Sequence, residues 1–487
     1  MIENRVFGSE LEWGIRTSTT YPPVPKPEGW QPRFVTPSQR DVREFVLYER
    51  PTTLGGLDTD LDPSLSYAGT ALSNGAVFYE DMDHPEYSTP EVIDPLELAA
   101  CEIAGERILE HFIRKAVADD KFYQVILRKE VTDIKGNSWG YHENYQTLRE
   151  RLSPKLAKTK HAAQYRILAA HLMSRCIYTG PGGRAPLPLD PYEQSPASAF
   201  VLAPKLTLLT EDMHESTIRQ FKPLINLRDE PLMDTEKYTR QHIVSGSPNT
   251  NPWGTRMTFG TTSLVLAALE YNLRTKKDLR VYGPMRAAAR KIASDTTGQA
   301  VVLLADGTTI SSIDMQYEEL EMARHVGERR QLMPWENWTL TEWEYVLGGL
   351  QRDPMSVADR VEWAYKMKLG ITEGPRLAGW TALTGKGMGI NKIRRERWAE
   401  WMPPERLIQE RMVHAPPNTR AALREQFIRK FGSGAQRDYT ASAKWNHFFF
   451  TEGDYDDPDF KRASVNINDP RAIQSDALDT LIKKYAA

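Results

Sequence analysis

Alternating apolar and polar positions predict short strands in the first ninety residues. Residues 6–17 form the first such segment, and it places Glu10 and Glu12 on one face, because side chains two apart in a strand point the same way. A turn at 74–75 leads into a second short strand that ends at Asp81. Carboxylates therefore accompany the predicted sheet from its first strand onward.

A helix with a clear start signal follows these strands. Asp94 suits the N-cap, Pro95 suits the first helical position, and Glu97 completes a capping box. The residues after Glu97 carry apolar side chains at helical spacing.

The rest of the chain mixes both element types without strict strand–helix alternation. The patterns predict a strand at 123–131, a polar loop at 133–144, a helix at 157–175, a strand at 199–210, a hairpin around Asp306 and Gly307, mostly helix from Asp314, and a mixed final piece from Ala415. This order predicts an α+β fold.

A polar, proline-rich stretch interrupts the predicted sheet between residues 21 and 72. Its proline, glycine and aspartate content and weak periodicity predict a long loop insertion, which we expect to be mobile. Loops of this length inside compact domains are usually functional lids or disordered segments.

The composition excludes several classes of protein. The 487 residues include 62 Lys+Arg and 65 Asp+Glu, a net charge of −3, so no global basic excess attracts nucleic acid or an anionic membrane. The two cysteines, Cys101 and Cys176, cannot build a disulfide framework or a four-thiolate zinc site. Without a signal-peptide pattern or a long apolar run, we expect a soluble cytoplasmic protein.

Familiar catalytic motifs are absent from the sequence. It contains no GxxxxGK[ST] loop, no GxGxxG after a strand, no HExxH, no CxxC and no GxSxG elbow. The carboxylates beside the strands stand out instead: Glu10 and Glu12, then Asp81 with Tyr79 two residues before it, then Glu86. Hard oxygen ligands of this kind suit Mg²⁺ bound together with nucleotide phosphates. For any single pair, a solvated strand face or a salt bridge is the simpler explanation, so the pairs indicate a metal site only when they are taken together.

A second polar cluster contains Arg228, Arg240 and His242. Guanidinium groups match phosphate and carboxylate geometry, so these residues are candidates for nucleotide or substrate binding. A structural ion-pair network is the alternative interpretation.

Several segments together resemble a known family. GSELEWGI, NGAVFYEDMDHPEYSTPE, DIKGNSWGYHENY, INLRDEP with EKYTRQH, and GTTSLVL occur in the order found in the Pup ligase and Pup deamidase/depupylase family. The resemblance implies a glutamine-synthetase-like catalytic domain, expected at 1–410, and a small C-terminal domain, expected at 411–487. It also implies ATP and Mg²⁺ as cofactors and, as partner, a small Pup-like protein tag whose terminal Gln or Glu is the reacting residue.

The resemblance also implies a role for individual residues. Asp81 matches the catalytic aspartate, and the magnesium positions fall on Glu10, Tyr79 and Glu86, with His142 added as a metal ligand. Nucleotide contacts fall on Thr89 and Trp445, with Arg240 and His242 nearby, and Arg228 is expected to bind substrate. The insertion at 21–72, together with HPEYSTPE, LLADG and the segment at 351–355, is closer to the deamidase/depupylase branch.

The sequence departs from the family pattern at several contacts to phosphate and substrate, namely Val77, Glu130, Val131, Leu232, Thr239, Ser247 and Pro252. We therefore predict an ATP- and Mg²⁺-dependent amidase or isopeptidase, a monomer, with two alternatives. One is a ligase that consumes ATP to join the tag to lysine, and the other is a divergent binder of a tag or peptide without catalytic activity.

Overall fold

The computed structural model describes residues 2–485, apart from 19, 22, 24, 31–32, 34, 36–56, 59–68, 82–83, 119–121, 134, 158–161, 187–198, 218–219, 373–379, 384–388, 432–438 and 454–458. Most of the predicted insertion at 21–72 lies outside these described residues. Two short pieces of it, at 57–58 and 69–71, are strands of the main sheet.

The strands are β1 (Phe7–Glu12), β2 (Gly14–Ser18), β3 (Leu57–Asp58), β4 (Gly69–Ala71), β5 (Val77–Asp81), β6 (His84–Ser88), β7 (Gln124–Arg128), β8 (Tyr141–Leu148), β9 (Gly183–Arg184), β10 (Phe200–Val201), β11 (Glu211–His214), β12 (Pro223–Asn226), β13 (Tyr238–Ile243), β14 (Val301–Leu303), β15 (Thr309–Ser311), β16 (Tyr439–Ala443), β17 (His447–Glu452) and β18 (Lys461–Asn466).

The helices are α1 (Pro95–Ala118), α2 (Pro154–Ala157), α3 (Ala162–Ser174), α4 (Cys176–Thr179), α5 (Pro252–Glu270), α6 (Met285–Ser294), α7 (Ser312–Arg324), α8 (Pro334–Arg352), α9 (Glu362–Lys368), α10 (Gly389–Arg397), α11 (Glu405–Val413), α12 (Ala421–Phe431) and α13 (Asp476–Tyr485). Three short 3₁₀ helices occupy Pro204–Leu208, Pro354–Val357 and Ala399–Trp401. No described helix has both the length and the apolar character needed to cross a bilayer.

A seven-stranded sheet in the order β13-β8-β1-β6-β5-β4-β3 is the centre of the molecule. Its neighbouring strands are antiparallel. The registers put Glu12 opposite Glu86, Glu86 opposite Tyr79, and Glu10 opposite His142. Residues directly opposite each other in an antiparallel pair lie on the same face, so the polar side chains predicted from separate segments share one face.

Helices cover the core side of this sheet. Helix α5 is buried along nearly its whole length, and it packs against α1, α7 and α8. Arg5, just before β1, forms an ion pair with Glu270 at the end of α5, with 2.8 Å between Nη2 and Oε2. Both side chains are buried, so this pair fixes the start of the central strand against the helical layer.

The C-terminal piece has its own apolar cluster. Phe427 and Phe431 of α12 pack with Phe448 and Phe450 of β17 and with residues of α13. Ala71 of β4 belongs to the same cluster, which attaches this piece to the main sheet. The expected boundary between 410 and 411 stays a prediction.

The α+β prediction is confirmed, as are the start of α1 and the hairpin at Asp306 and Gly307. Asp94 caps α1 by accepting a hydrogen bond from the Leu96 amide at 2.7 Å. Glu97, expected in a capping box, instead accepts a hydrogen bond from Arg411 at 2.9 Å.

Three local predictions were wrong. The segment 6–17 forms two strands, of which β2 pairs with β7 in a separate sheet. In the segment 199–210 only Phe200–Val201 is a strand, and Pro204–Leu208 is a 3₁₀ helix. Periodicity alone cannot distinguish a strand from a helical turn in a short buried apolar run. The polar loop expected at 133–144 ends at Gly140, because β8 begins at Tyr141 and pairs with β1.

Candidate active site

Three carboxylates converge at one end of the shared sheet face. Glu12 of β1, Asp81 of β5 and Glu86 of β6 each place an oxygen within 4.8 Å of the others. Glu12 is 8% exposed and Glu86 is 1% exposed, whereas Asp81 is partly open to solvent. Glu12 is predicted on the same strand face as Glu10, but the family motifs assign no metal position to it. Only the pairing of β1 with β6 reveals that it faces Glu86.

Crowding of these negative charges perturbs their protonation. Burial, then the charges of Glu12 and Glu10, raises the pKa of Glu86 well above its ordinary value. Burial, then the charge of Glu12, raises the pKa of Asp81 to about 6. The buried Oε2 of Glu86 has no hydrogen-bond partner among the described residues. A divalent cation with oxygen ligands would satisfy this atom and relieve the repulsion, so the cluster fits Mg²⁺.

A second group of ligand atoms adjoins the first. Glu10 Oε2 lies 3.0 Å from His142 Nδ1, and both fall within 4.8 Å of a His242 ring nitrogen. His242 is buried, and neither ring nitrogen has a partner in the described part of the chain. Burial, then the charge of Arg240, lowers the pKa of His242 well below its ordinary value. A neutral imidazole is the form that can accept a proton or bind a metal.

Tyr79 lies between these groups. Its hydroxyl accepts a hydrogen bond from Ser88 Oγ at 3.4 Å, and it faces Glu86 across the β5–β6 pair. Burial, then the charge of Glu86, raises the pKa of Tyr79 well above its ordinary value. Tyr79 therefore offers a neutral hydroxyl rather than a phenolate to a cation.

Next to Glu10, the sheet face opens into a cleft of about 550 Å³, including the part open to solvent. Thr89, Arg240 and Trp445, each expected to contact a nucleotide, line this cleft. Clefts of 300–1,000 Å³ with mainly apolar walls are typical sites for small ligands and cofactors.

Unpaired polar atoms lie among the residues that line the cleft. Asn144 Oδ1, Gln146 Nε2 and Arg240 Nε are buried and have no partner among the described residues. Buried polar atoms are normally satisfied, so these atoms suit a polar ligand such as a nucleotide. Asn144 and Gln146 follow His142 at alternate positions of β8, a signal that becomes visible only once this segment is recognised as a strand.

Arg228 lies at the rim of the site. Its guanidinium is about half exposed and lies 3.5 Å from Glu230, which in turn is 4.0 Å from Arg240. The residues of the sequence prediction are thus together around one face, with Arg228 at its edge.

Two of the residues that depart from the family pattern, Thr239 and Leu232, have different surroundings in the structure. Thr239 donates a hydrogen bond to Asp229, which also accepts two from Arg149, so this position is part of a structural network. Leu232 lines the cleft, is 43% exposed, and has a φ of 50°, in the left-handed region that non-glycine residues rarely adopt.

Known proteins match most of this chain. Residues 5–449 match the family described as Pup-ligase protein. A depupylase from Acidothermus cellulolyticus is 31% identical over 481 residues, covering 92% of this chain and 91% of the relative. A Pup–protein ligase from Kineococcus radiotolerans is 32% identical, covering 99% of both chains.

Solved structures agree on the fold. A Pup ligase in complex with Pup has a TM-score of 0.75 at 22% identity, covering 99% of this chain and 92% of that one. A Pup ligase in complex with ADP has a TM-score of 0.68 at 24% identity, covering 94% and 96%. The predicted fold class is confirmed, and relatives with both activities are similarly close in sequence.

Proposed function

This chain belongs to the Pup-ligase protein family, and from that premise we propose that it is an ATP- and Mg²⁺-dependent amidase or isopeptidase. Its substrate would be the side-chain amide of a terminal Gln, or the isopeptide of a terminal Glu, on a small Pup-like protein tag. The observation that carries the proposal is Asp81 beside Glu12 and Glu86, at the open edge of a buried carboxylate cluster.

Asp81 is the candidate nucleophile or general base. With a pKa of about 6, it is largely ionised at neutral pH, yet it is basic enough to attack the carbonyl carbon or to take a proton from water. The bond between that carbon and its nitrogen then breaks. Water supplies the oxygen of the new carboxylate, and a proton from the same water passes to the leaving nitrogen. Ammonia then leaves from a terminal amide, or the lysine amine leaves from an isopeptide.

Glu12 and Glu86 of the first group, and Glu10 with His142 of the adjoining group, would hold Mg²⁺, with the Tyr79 hydroxyl between the two groups. When bound, Mg²⁺ and the nucleotide phosphates would polarise the carbonyl and stabilise the oxyanion. Thr89 and Trp445 would bind the nucleotide in the cleft, and Arg240 with His242 would face its phosphates. Arg228, at the rim, would attract the carboxylates of the tag.

The test compares the natural protein with Asp81→Asn on two substrates, Pup ending in Gln and Pup joined to lysine by an isopeptide. We expect the natural protein to release ammonia or free lysine, and Asp81→Asn to lose at least about 1,000-fold in rate. Asp306→Asn, in the exposed hairpin turn, is the control. Equal rates for Asp81→Asn and the natural protein would contradict the proposal.

A ligase is the second candidate, because ligases are among the most similar relatives. In that reaction ATP would phosphorylate the terminal carboxylate of the tag, and Asp81 would deprotonate the incoming lysine. Net conjugate formation, with one ADP for each isopeptide made, would favour the ligase. Failure to bind ATP and Mg²⁺ would instead favour a binder without catalytic activity.

A further inference from the structure

Two buried arginines, Arg424 of α12 and Arg420 just before this helix, meet one carboxylate of the catalytic region. Arg420 Nε donates to Glu91 Oε1 at 2.9 Å, and Arg424 contacts both carboxylate oxygens of Glu91. Arg420 is 3% exposed and Arg424 is fully buried. Burial would raise the pKa of Glu91, but the charges of Arg424 and then Arg420 outweigh it and lower the pKa to about 2. The three groups therefore form a permanently charged, buried network.

Arg424 also contacts two further segments, one that lines the cleft and one that lies outside it. Its Nη1 donates to the Trp445 carbonyl at 2.9 Å, and its guanidinium lies 4.9 Å from the centre of that indole ring. Its Nε and Nη2 donate to the Gly75 carbonyl at 3.1 and 2.8 Å. Gly75 occupies the turn before β5, the strand that carries Asp81, and none of residues 72–76 lines the cleft.

Arg420 contacts a different part of the cleft wall. Its Nη1 donates to the carbonyls of Leu232, at 2.7 Å, and Ile467, at 3.0 Å. Its backbone amide donates to Pro470, another residue of the wall. The left-handed conformation of Leu232 is unfavourable for a residue with a side chain, and the hydrogen bond from Arg420 helps to hold it.

We propose that Arg424 is a positioning residue that couples nucleotide binding at Trp445 to the strand that carries Asp81, whereas Arg420 shapes only the cleft wall. This inference rests on the proposed use of the cleft by a nucleotide. A single guanidinium can serve several carbonyls and a ring because it is planar and has five N–H groups, whereas the ammonium of lysine has three and cannot stack in the same way.

The experiment uses three Arg→Lys variants of the full chain and measures affinity for ATP and Mg²⁺ by calorimetry, then turnover at saturating nucleotide. We expect Arg424→Lys to weaken ATP binding about tenfold or more and to lower kcat as well. Arg420→Lys, in the cleft wall, should also weaken binding but should lower kcat less than Arg424→Lys does. Arg394→Lys is the matched control, since Arg394 is equally buried and pairs with Glu106 outside the cleft.

A second measurement uses the natural protein, so it does not depend on folding of the variants. Adding ADP and Mg²⁺ should slow amide hydrogen exchange in the turn at 72–76, although this turn is outside the cleft. Unchanged exchange there, or variants at 424 and 394 with the same affinity and kcat, would overturn the inference. If the natural protein binds no nucleotide at all, the proposed function fails first, and this result is distinct from nucleotide binding without coupling.

Discussion

At the scale of single residues, the sequence identifies Asp81 but not the partners of Glu12. Two-residue spacing correctly predicts that Glu10 and Glu12 point to one face, and family motifs single out Asp81. The spacing does not reveal that Glu12 joins Asp81 and Glu86 while Glu10 joins His142 and His242. That division depends on which strands pair, and pairing is decided by residues far apart in the chain.

Replacing single carboxylates tests the cation site. Glu86→Gln and Glu10→Gln each remove a negative charge from the ligand set, so we expect each to weaken Mg²⁺ binding at least about tenfold. Calorimetric titration of Mg²⁺ in the presence of a non-hydrolysable ATP analogue measures the change. Glu328→Gln, at an exposed position, is the control, and the same affinity in all three variants would remove Glu10 and Glu86 from the site.

Helix α1 and strand β6 show how a local pattern depends on a distant contact. Asp94 and Pro95 start the helix through local geometry, which the sequence predicts well. Gly105 looks like an unfavourable residue inside this helix. A glycine is needed at this position because a Cβ at Gly105 would lie 2.3 Å from the ring of Tyr87. The close packing of α1 on β6 therefore could not be predicted from α1 alone.

Gly105→Ala tests this contact. Alanine favours helices over glycine by about 1 kcal/mol, but the overlap with the buried Tyr87 ring should reverse the sign. We expect the free energy of unfolding to fall by roughly 1–3 kcal/mol, measured by denaturant unfolding. Gly348→Ala in α8 meets nothing closer than 3.5 Å and should be neutral or stabilising. A stabilised Gly105→Ala variant would show that the contact is not tight.

Glu91, with Arg420 and Arg424, links helix α12 to the main sheet. Because protonation of Glu91 would break these ion pairs, we expect the free energy of unfolding to depend on pH. The folded pKa is about 2, below the ordinary value of 4.5, so its contribution to stability is fully present above pH 4.5. It should be lost as the pH falls from 4.5 toward 2, and the full loss is about 3 kcal/mol. Unfolding curves at several pH values should show a shallower acid-side slope for Glu91→Gln. An identical slope would contradict this assignment.

At the scale of the whole molecule, the sequence predicts the fold class and the order of elements better than it predicts the site walls. Trp445 reaches the cleft because α12 and β16–β18 pack as a unit on β4 through Ala71. Leu232 reaches the same cleft from the segment before β13. Neither position in the cleft follows from periodicity, since each depends on tertiary packing between segments far apart in the chain.

The insertion at 21–72 provides a prediction at this scale. From its composition, rich in proline, glycine and charge, we expect it to bury little apolar surface, so removing 37–56 should change the melting temperature by only a few degrees. This deletion spares Val35, β3 and β4. We expect turnover to fall while ATP affinity is retained, because a lid would exclude water or position the carbonyl. Full turnover in the shortened protein would make the insertion a neutral surface segment.

The nucleotide balance during reaction with a Pup–lysine isopeptide tests the central claim most directly. The measurement counts ADP formed and lysine released in the same sample, with ATP and Mg²⁺ present. The proposed isopeptidase retains its nucleotide, so we expect many lysines to be released for each ADP. No release of lysine from this substrate, together with one ADP for each isopeptide made from free lysine and Pup ending in Glu, would contradict the account and identify a ligase.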